Sequence, residues 1–174
     1  MWQPISRSRF LLQTLLAALG LVASPRTRTS AAGLSGRYTW LTMQGVSMLP
    51  ALHDGEKLKV DRLAYSRATP QRGDIVIFPS PVTRTGGRFF LVKRVIGLPG
   101  EEVLIRNGQV FIDGKKLSEP YVQNPARYFY PAERTSADSY FLLGDNRNNS
   151  EDSHLLGALP LRQIGGKVIQ TSRR

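Results

Sequence analysis

The dipeptide Asn107-Gly108 constrains this chain more than any other feature. It separates two short β-rich runs, Glu102 to Arg106 and Gln109 to Ile112. Asn-Gly between such runs is the strongest short hairpin signal, because both residues tolerate the positive φ of a tight two-residue turn. Asp113-Gly114 supplies the next turn. Other segments agree with an antiparallel sheet. Lys57-Leu58-Lys59-Val60-Asp61 alternates charged and apolar residues, as a half-buried strand does. Asp74 to Phe78 is a β-rich run between Gly73 and Pro79, and Arg88 to Ile96 is a longer one ended by Gly97-Leu98-Pro99-Gly100. Tyr140 to Leu143 and Lys167 to Ile169 complete the set. No window after Gly36 carries the period of a long amphipathic helix. The expected class is mainly β and hairpin-rich, with no internal repeat. Gly86-Gly87 and Asn124 to Pro131 read as surface excursions between strands.

Before Gly36 the chain changes character. Phe10 to Ala23 is apolar apart from Gln13 and Thr14, and Arg7 and Arg9 precede it. A full membrane span needs about 20 residues, so this run is short. Three readings fit it: a membrane anchor whose flanking arginines snorkel to the interface, a cleavable signal peptide with small residues at Ser30-Ala31-Ala32, and an amphipathic surface helix. Arginines on both sides, Arg7 and Arg9 against Arg26 and Arg28, leave its orientation open. Ser24 to Gly36 has a linker composition. The expected organisation is therefore an N-terminal segment (1–23) with a short membrane helix, a linker (24–36) and one β domain (37–174), the domain count that 174 residues suggest.

The absence of cysteine excludes disulfides, thiolate metal sites and cysteine nucleophiles, and suits a bacterial export compartment. His53 and His154 are far apart and begin no metal-binding spacing, which argues against zinc. The net charge of +11 is spread along the chain rather than gathered in a tract. It fits attraction to anionic lipid headgroups better than nucleic-acid recognition.

Three segments hold residues suited to chemistry. In Gly45-Val46-Ser47-Met48-Leu49-Pro50, a serine between glycine and proline turns is placed for exposure at a bend, with its own N–H beside its hydroxyl. In Leu91-Val92-Lys93-Arg94-Val95-Ile96, a lysine interrupts an apolar strand. Alternation sets Lys93 on the face of Leu91 and Val95 and turns Arg94 the other way. An ordinary lysine is neutral in only about one molecule in 2,500 at pH 7. Burial disfavours the ammonium, and a drop of about 2 to 3 pKa units makes a usable base. An edge-strand lysine that deters aggregation remains the alternative. The third segment, Gly144 to Ser153, is dense in polar side chains. Asp145 and Arg147 are candidates to pair, and Ser150 and Asp152 to approach a lysine ammonium. Asp145, Arg147 and Asn149 have part of an EF-hand spacing, but arginine at a ligand position argues against calcium. A Ser-His-Asp triad through His53 or His154 stays open.

Taken together, Gly-Val-Ser-Met-Leu-Pro-Ala-Leu (45–52), Arg-Gly-Asp-Ile-Val (72–76), Lys-Arg-Val-Ile-Gly-Leu-Pro-Gly-Glu (93–101) and Gly-Asp-Asn-Arg-Asn-Asn-Ser-Glu-Asp-Ser (144–153) resemble, in order, the four boxes of the type I signal peptidases. The resemblance covers roughly Leu41 to Val168. It implies a mostly β fold with its site near a membrane surface. It also implies a Ser/Lys dyad that removes signal peptides from exported preproteins after small residues (Ala-x-Ala), without cofactor or metal. The implied nucleophile is Ser47 and the general base Lys93. Ser150 would hydrogen-bond and orient the lysine, with Asp145, Arg147 and Asp152 as structural support. The implied partners are secretory preproteins and membrane lipid. The implied location is a single-pass membrane protein with its catalytic domain on the extracytoplasmic side. Three positions depart from the pattern. Gly45 stands where some members carry a serine that helps the oxyanion hole, Ala51 where threonine is usual, and His154 where the last box often has arginine. A catalytically weakened or inactive relative that binds preproteins is the alternative. A self-cleaving repressor-type protease and a basic lipid or nucleic-acid module are more distant ones.

Overall fold

The computed structural model describes residues 36–80 and 89–172. Eleven strands follow in chain order: β1 (Tyr38–Thr42), β2 (Lys57–Asp61), β3 (Ile75–Pro79), β4 (Phe90–Gly97), β5 (Glu102–Arg106), β6 (Gln109–Ile112), β7 (Lys115–Lys116), β8 (Tyr130–Arg134), β9 (Ser139–Leu143), β10 (Leu159–Pro160) and β11 (Gly166–Ser172). A four-residue helix, α1 (Ser153–Leu156), and a 3-10 turn at Leu161–Gln163 are the helical elements among the described residues. The expected mainly β, antiparallel class is what the structure has. No helix among the described residues is long and apolar enough to cross a membrane. The expected anchor, nearly all of the linker, and the Gly86-Gly87 excursion lie outside the described residues.

The strands form two sheets. One has the order β1-β2-β11-β3-β4-β9-β10 and the other β7-β6-β5-β8. The β5–β6 hairpin turns at Asn107 and Gly108, with φ of 50° and 76°, the left-handed pair that its sequence called for. The expected strand starts at Asp74 and Arg88 move to Ile75 and Phe90. The Asn124 to Pro131 excursion ends two residues sooner than expected, because Tyr130 and Pro131 already belong to β8, paired with β5. Tyr130 is buried against Phe141, which outweighs the loop-like composition before it.

β11 is inserted between β2 and β3, so it joins the β1–β2 pair to the rest of the larger sheet. Strands β3 and β9 read as short continuous apolar runs because both their faces are covered, and β9 is buried along its whole length. One core cluster joins the second sheet to the first through Val103, Ile105, Val110, Ile96, Phe141 and Leu143. Another gathers Met43, Met48, Leu52, Leu58, Val60, Ile77 and Val92.

Two features of this architecture place the site. First, β4 outruns its neighbour. Its ladder with β9 ends at Arg94–Leu143, whereas its ladder with β3 continues to Phe90–Pro79. Lys93 therefore lies one residue beyond the point where β9 gives way to the loop starting at Gly144. Second, the turn carrying Ser47 is pinned from below. Met48 is fully buried in the second cluster, and Leu52 N–H bonds Met48 O at 2.9 Å.

Candidate active site

Lys93 Nζ donates to Ser47 Oγ at 2.9 Å and to the Val92 carbonyl at 3.0 Å. The side chain is 2% exposed. Burial draws its pKa from the ordinary 10.5 down to about 8, and the nearby Asp152, Glu151 and Asp145 carboxylates oppose that fall only in part. Ser47 itself is half-buried, at the rim of a cleft. Serine and lysine are 46 residues apart in sequence and meet as a hydrogen-bonded pair.

The loop 144–153 closes over this pair. Asn146 N–H bonds Ser47 O at 3.0 Å, and its side-chain amide bonds Val46 O at 3.1 Å, so one residue fastens the serine turn to the loop. Gly144 sits in the tightest part. A Cβ there would fall on Ser150 Oγ and within 2.5 Å of the Ser47 carbonyl oxygen. Asp145 does not pair with Arg147 as expected from their spacing. Arg94 takes it, with bonds of 2.8 and 2.6 Å to the two carboxylate oxygens. The register explains the choice, because Arg94 lies opposite Leu143, two residues before Asp145. The Arg94 guanidinium also lies over the Tyr121 ring, 4.1 Å from its centroid. Arg147, 1% exposed, instead forms a buried fork with Glu119.

Ser150 does not make the hydrogen bond to Lys93 that the resemblance implied. Lys93 donates to Ser47 and Val92, while Ser150 Oγ is buried without a hydrogen-bond partner among the described residues. Gly45 has φ of 80° and donates its N–H to Asp54 at 2.7 Å, so that amide is turned toward Asp54 rather than offered as an oxyanion donor. Asp152 is fully buried. It accepts Gly144 N–H at 2.8 Å and caps α1. His154, where the last box often has arginine, still contacts this carboxylate: its Nδ1 lies 2.6 Å from Asp152 Oδ1. His53 lies near Glu56, at 4.0 Å, and neither it nor His154 is among the hydrogen-bond partners of Lys93. Among the described residues, no cluster of His, Asp and Glu could hold a metal ion.

Sequence reading missed Asn146, Glu119 and the cleft itself. The cleft, about 250 Å³, is lined by Leu41–Gln44, Ser47 and Phe89–Lys93. Nothing local marks these residues. Arg94 alone had a signal, the strand alternation that points it away from Lys93.

With this geometry in place, comparison with known proteins is decisive. A family model described as signal peptidase, peptidase S26, matches residues 11–171. The chain belongs to that family. A signal peptidase I from Leptolyngbya laminosa is 42% identical over 127 residues, which cover 71% of this chain and 63% of that protein. One from Bacillus amyloliquefaciens is 38% identical over 136 residues, 71% of this chain and 70% of that one. The chain thus spans under two thirds of the Leptolyngbya protein's length. A crystal structure of a signal peptidase I from Enterococcus faecalis is 32% identical, with a TM-score of 0.48 over 58% of this chain and 97% of that one.

Proposed function

We propose that this chain is a membrane-associated serine endopeptidase that removes N-terminal signal peptides from exported preproteins, with Ser47 as nucleophile and Lys93 as general base. The observation that carries the proposal is the 2.9 Å contact between Ser47 Oγ and a buried lysine amine. Family membership supports it. As Oγ attacks the scissile carbonyl carbon, neutral Lys93 takes the hydroxyl proton. The Ser47 N–H faces the negative charge that develops on the carbonyl oxygen. When the C–N bond breaks, the Lys93 ammonium returns the proton to the departing amine, leaving an ester on Ser47. Water then attacks that ester, again giving a proton to Lys93, and Oγ leaves with that proton.

The cleft accounts for how a signal peptide would bind. The β4 segment Phe90–Lys93 extends past β9, and the segment Leu41–Gln44 at the end of β1 lines the same cleft. A substrate in extended form can add as a strand between them, using main-chain bonds for affinity and pockets for alternate side chains. Leu41, Met43 and Val92 narrow the cleft, which fits small residues before the cut. Membrane lipid and the extracytoplasmic side of a single-pass protein complete the reading, on the apolar run at 10–23 and the positive charge.

The test is cleavage of a preprotein bearing an Ala-x-Ala site, with mass spectrometry to locate the cut. Cutting after the alanine at −1 is expected, and its loss in both Ser47→Ala and Lys93→Met. Cutting that survives Lys93→Met would sink the dyad. A folded full-length chain in membranes that never cuts would be an inactive relative.

A further inference from the structure

The turn that carries Ser47 belongs to a closed loop, residues 43–56. Its two ends are clamped together, with Met43 N–H on Glu56 O at 2.8 Å and Gly55 N–H on Met43 O at 2.9 Å. The closing residues form a rigid turn of their own. His53 N–H bonds the Glu56 carboxylate at 3.0 Å, Glu56 N–H bonds His53 O at 3.2 Å, and Glu56 is buried. Asp54 stands on this turn, and its Oδ1 accepts Gly45 N–H at 2.7 Å. Gly45 lies two residues before Ser47, directly after the cleft-lining segment that ends at Gln44. Its φ is 80°, and a Cβ there would meet no atom within 4 Å. Packing therefore does not hold this residue. Glycine enters and leaves a positive φ at no steric cost, which leaves the Asp54 bond to select that conformation.

We propose that Asp54 is a positioning residue for Ser47: its side chain holds Gly45 in the left-handed conformation and so aims the Ser47 hydroxyl and N–H at the scissile carbonyl. This rests on the functional reading above. The serine turn is held elsewhere by Met48, fully buried beneath it, and by Asn146, which bonds the Ser47 and Val46 carbonyls. Those contacts fix the turn from Val46 onward. None of them reaches Gly45, where the chain passes from the cleft wall into the turn. Rotation at Gly45 would swing the Gly45–Val46 peptide and move Gln44 relative to Ser47, and a misplacement of about 1 Å can cost about 100-fold in rate. Asp54 and Gly45 are both exposed, so their bond adds little to global stability. The backbone of Asp54 is already fixed by the clamp, so little freedom is lost when the bond forms. The bond therefore acts on the geometry of the nucleophile more than on the fold.

The experiment compares wild type, Asp54→Ala, Asp54→Asn, Gly45→Ala and the double variant, each as the full chain in detergent micelles, on a preprotein with an Ala-x-Ala site. With Asn146 still in place, Asp54→Ala is expected to lower kcat about tenfold and leave KM within about threefold. Asp54→Asn keeps an oxygen that accepts the Gly45 N–H, and should restore kcat to within about threefold of wild type. Gly45→Ala should lower kcat as well, because a Cβ disfavours the positive φ. The double variant should fall well short of the product of the two single losses, since both act on one backbone conformation. Amide exchange on ¹⁵N-glycine chains reads the bond without reference to activity. Sixteen glycines are present, and Gly45→Ala identifies the resonance by its disappearance. The Gly45 N–H should exchange about tenfold faster in Asp54→Ala and near the wild-type rate in Asp54→Asn. An Asp54→Ala enzyme with wild-type kcat, an Asp54→Asn enzyme no better than Asp54→Ala, or fully multiplicative losses would each overturn the proposal. So would a Gly45 exchange rate indifferent to residue 54. If Asp54→Ala does not fold, Asp54→Ser, whose hydroxyl is too short to reach the amide, takes its place. A wild type that cuts no preprotein removes the functional reading, and the exchange rates then still decide whether Asp54 holds the turn.

Discussion

Replacing Lys93 by methionine should abolish cleavage and yet stabilise the fold. The ammonium is held in a site that draws its pKa from 10.5 to about 8, and each pKa unit measures the free energy by which folding disfavours the charged form. The difference is roughly 3 kcal/mol at pH 7. Methionine fills a similar volume without charge. It forfeits the bonds to Ser47 Oγ and Val92 O, at about 1 kcal/mol each. The net expectation is a gain of about 1 kcal/mol, a rise in Tm of roughly 3–4 °C for a domain of this size. The effect must also depend on pH in a defined direction. Below pH 8 both folded and unfolded wild type keep the proton, and the full penalty is present. Between about 8 and 10.5 the unfolded chain binds the proton and the folded one does not, so wild-type stability rises with pH. The advantage of Lys93→Met should therefore shrink toward pH 10.5. Calorimetry at pH 7 and pH 10 on both proteins measures this. A variant less stable than wild type at pH 7, or a gap that does not change with pH, would refute the account of Lys93 as a lysine held in an unfavourable site.

The same burial predicts that kcat/KM rises with pH through a limb near 8, because about one molecule in ten carries a neutral amine at pH 7. A profile flat from pH 6 to 10 would remove Lys93 as base. Gly144→Ala should cut kcat by about 100-fold or more with the fold retained by circular dichroism, since its Cβ displaces Ser150 and the Ser47 carbonyl. Activity within threefold of wild type would show that this convergence is not needed. Arg94→Met should cost about 3–5 kcal/mol in chemical denaturation, because Asp145, 1% exposed, loses its bidentate partner. Adding Asp145→Leu should recover part of it, and a double variant no more stable than the single one contradicts the pairing.

Local chemistry determined a great deal here. Asn107-Gly108 specified a hairpin and its flanking strands at 102–106 and 109–112 because few residue pairs accept two positive φ values in succession, and the strand at 57–61 followed from alternation. The candidates Ser47 and Lys93 were also legible, one from its turn and the other from its apolar surroundings. Partnership was not. Sequence spacing suggested Asp145 with Arg147, but pairing is chosen by which backbone lies alongside, and the β4–β9 register puts Arg94 there. Ser150 was expected on Lys93, yet the Val92 carbonyl and Ser47 hold the amine. Asn146, Glu119 and the substrate-sized cleft have no local signature at all, because each depends on segments tens of residues apart. Backbone propensity acts over a few residues and can be read in order along the chain. The amine's low pKa, the fastening of the serine turn and the length by which β4 outruns β9 arise only when strands distant in sequence fix their register.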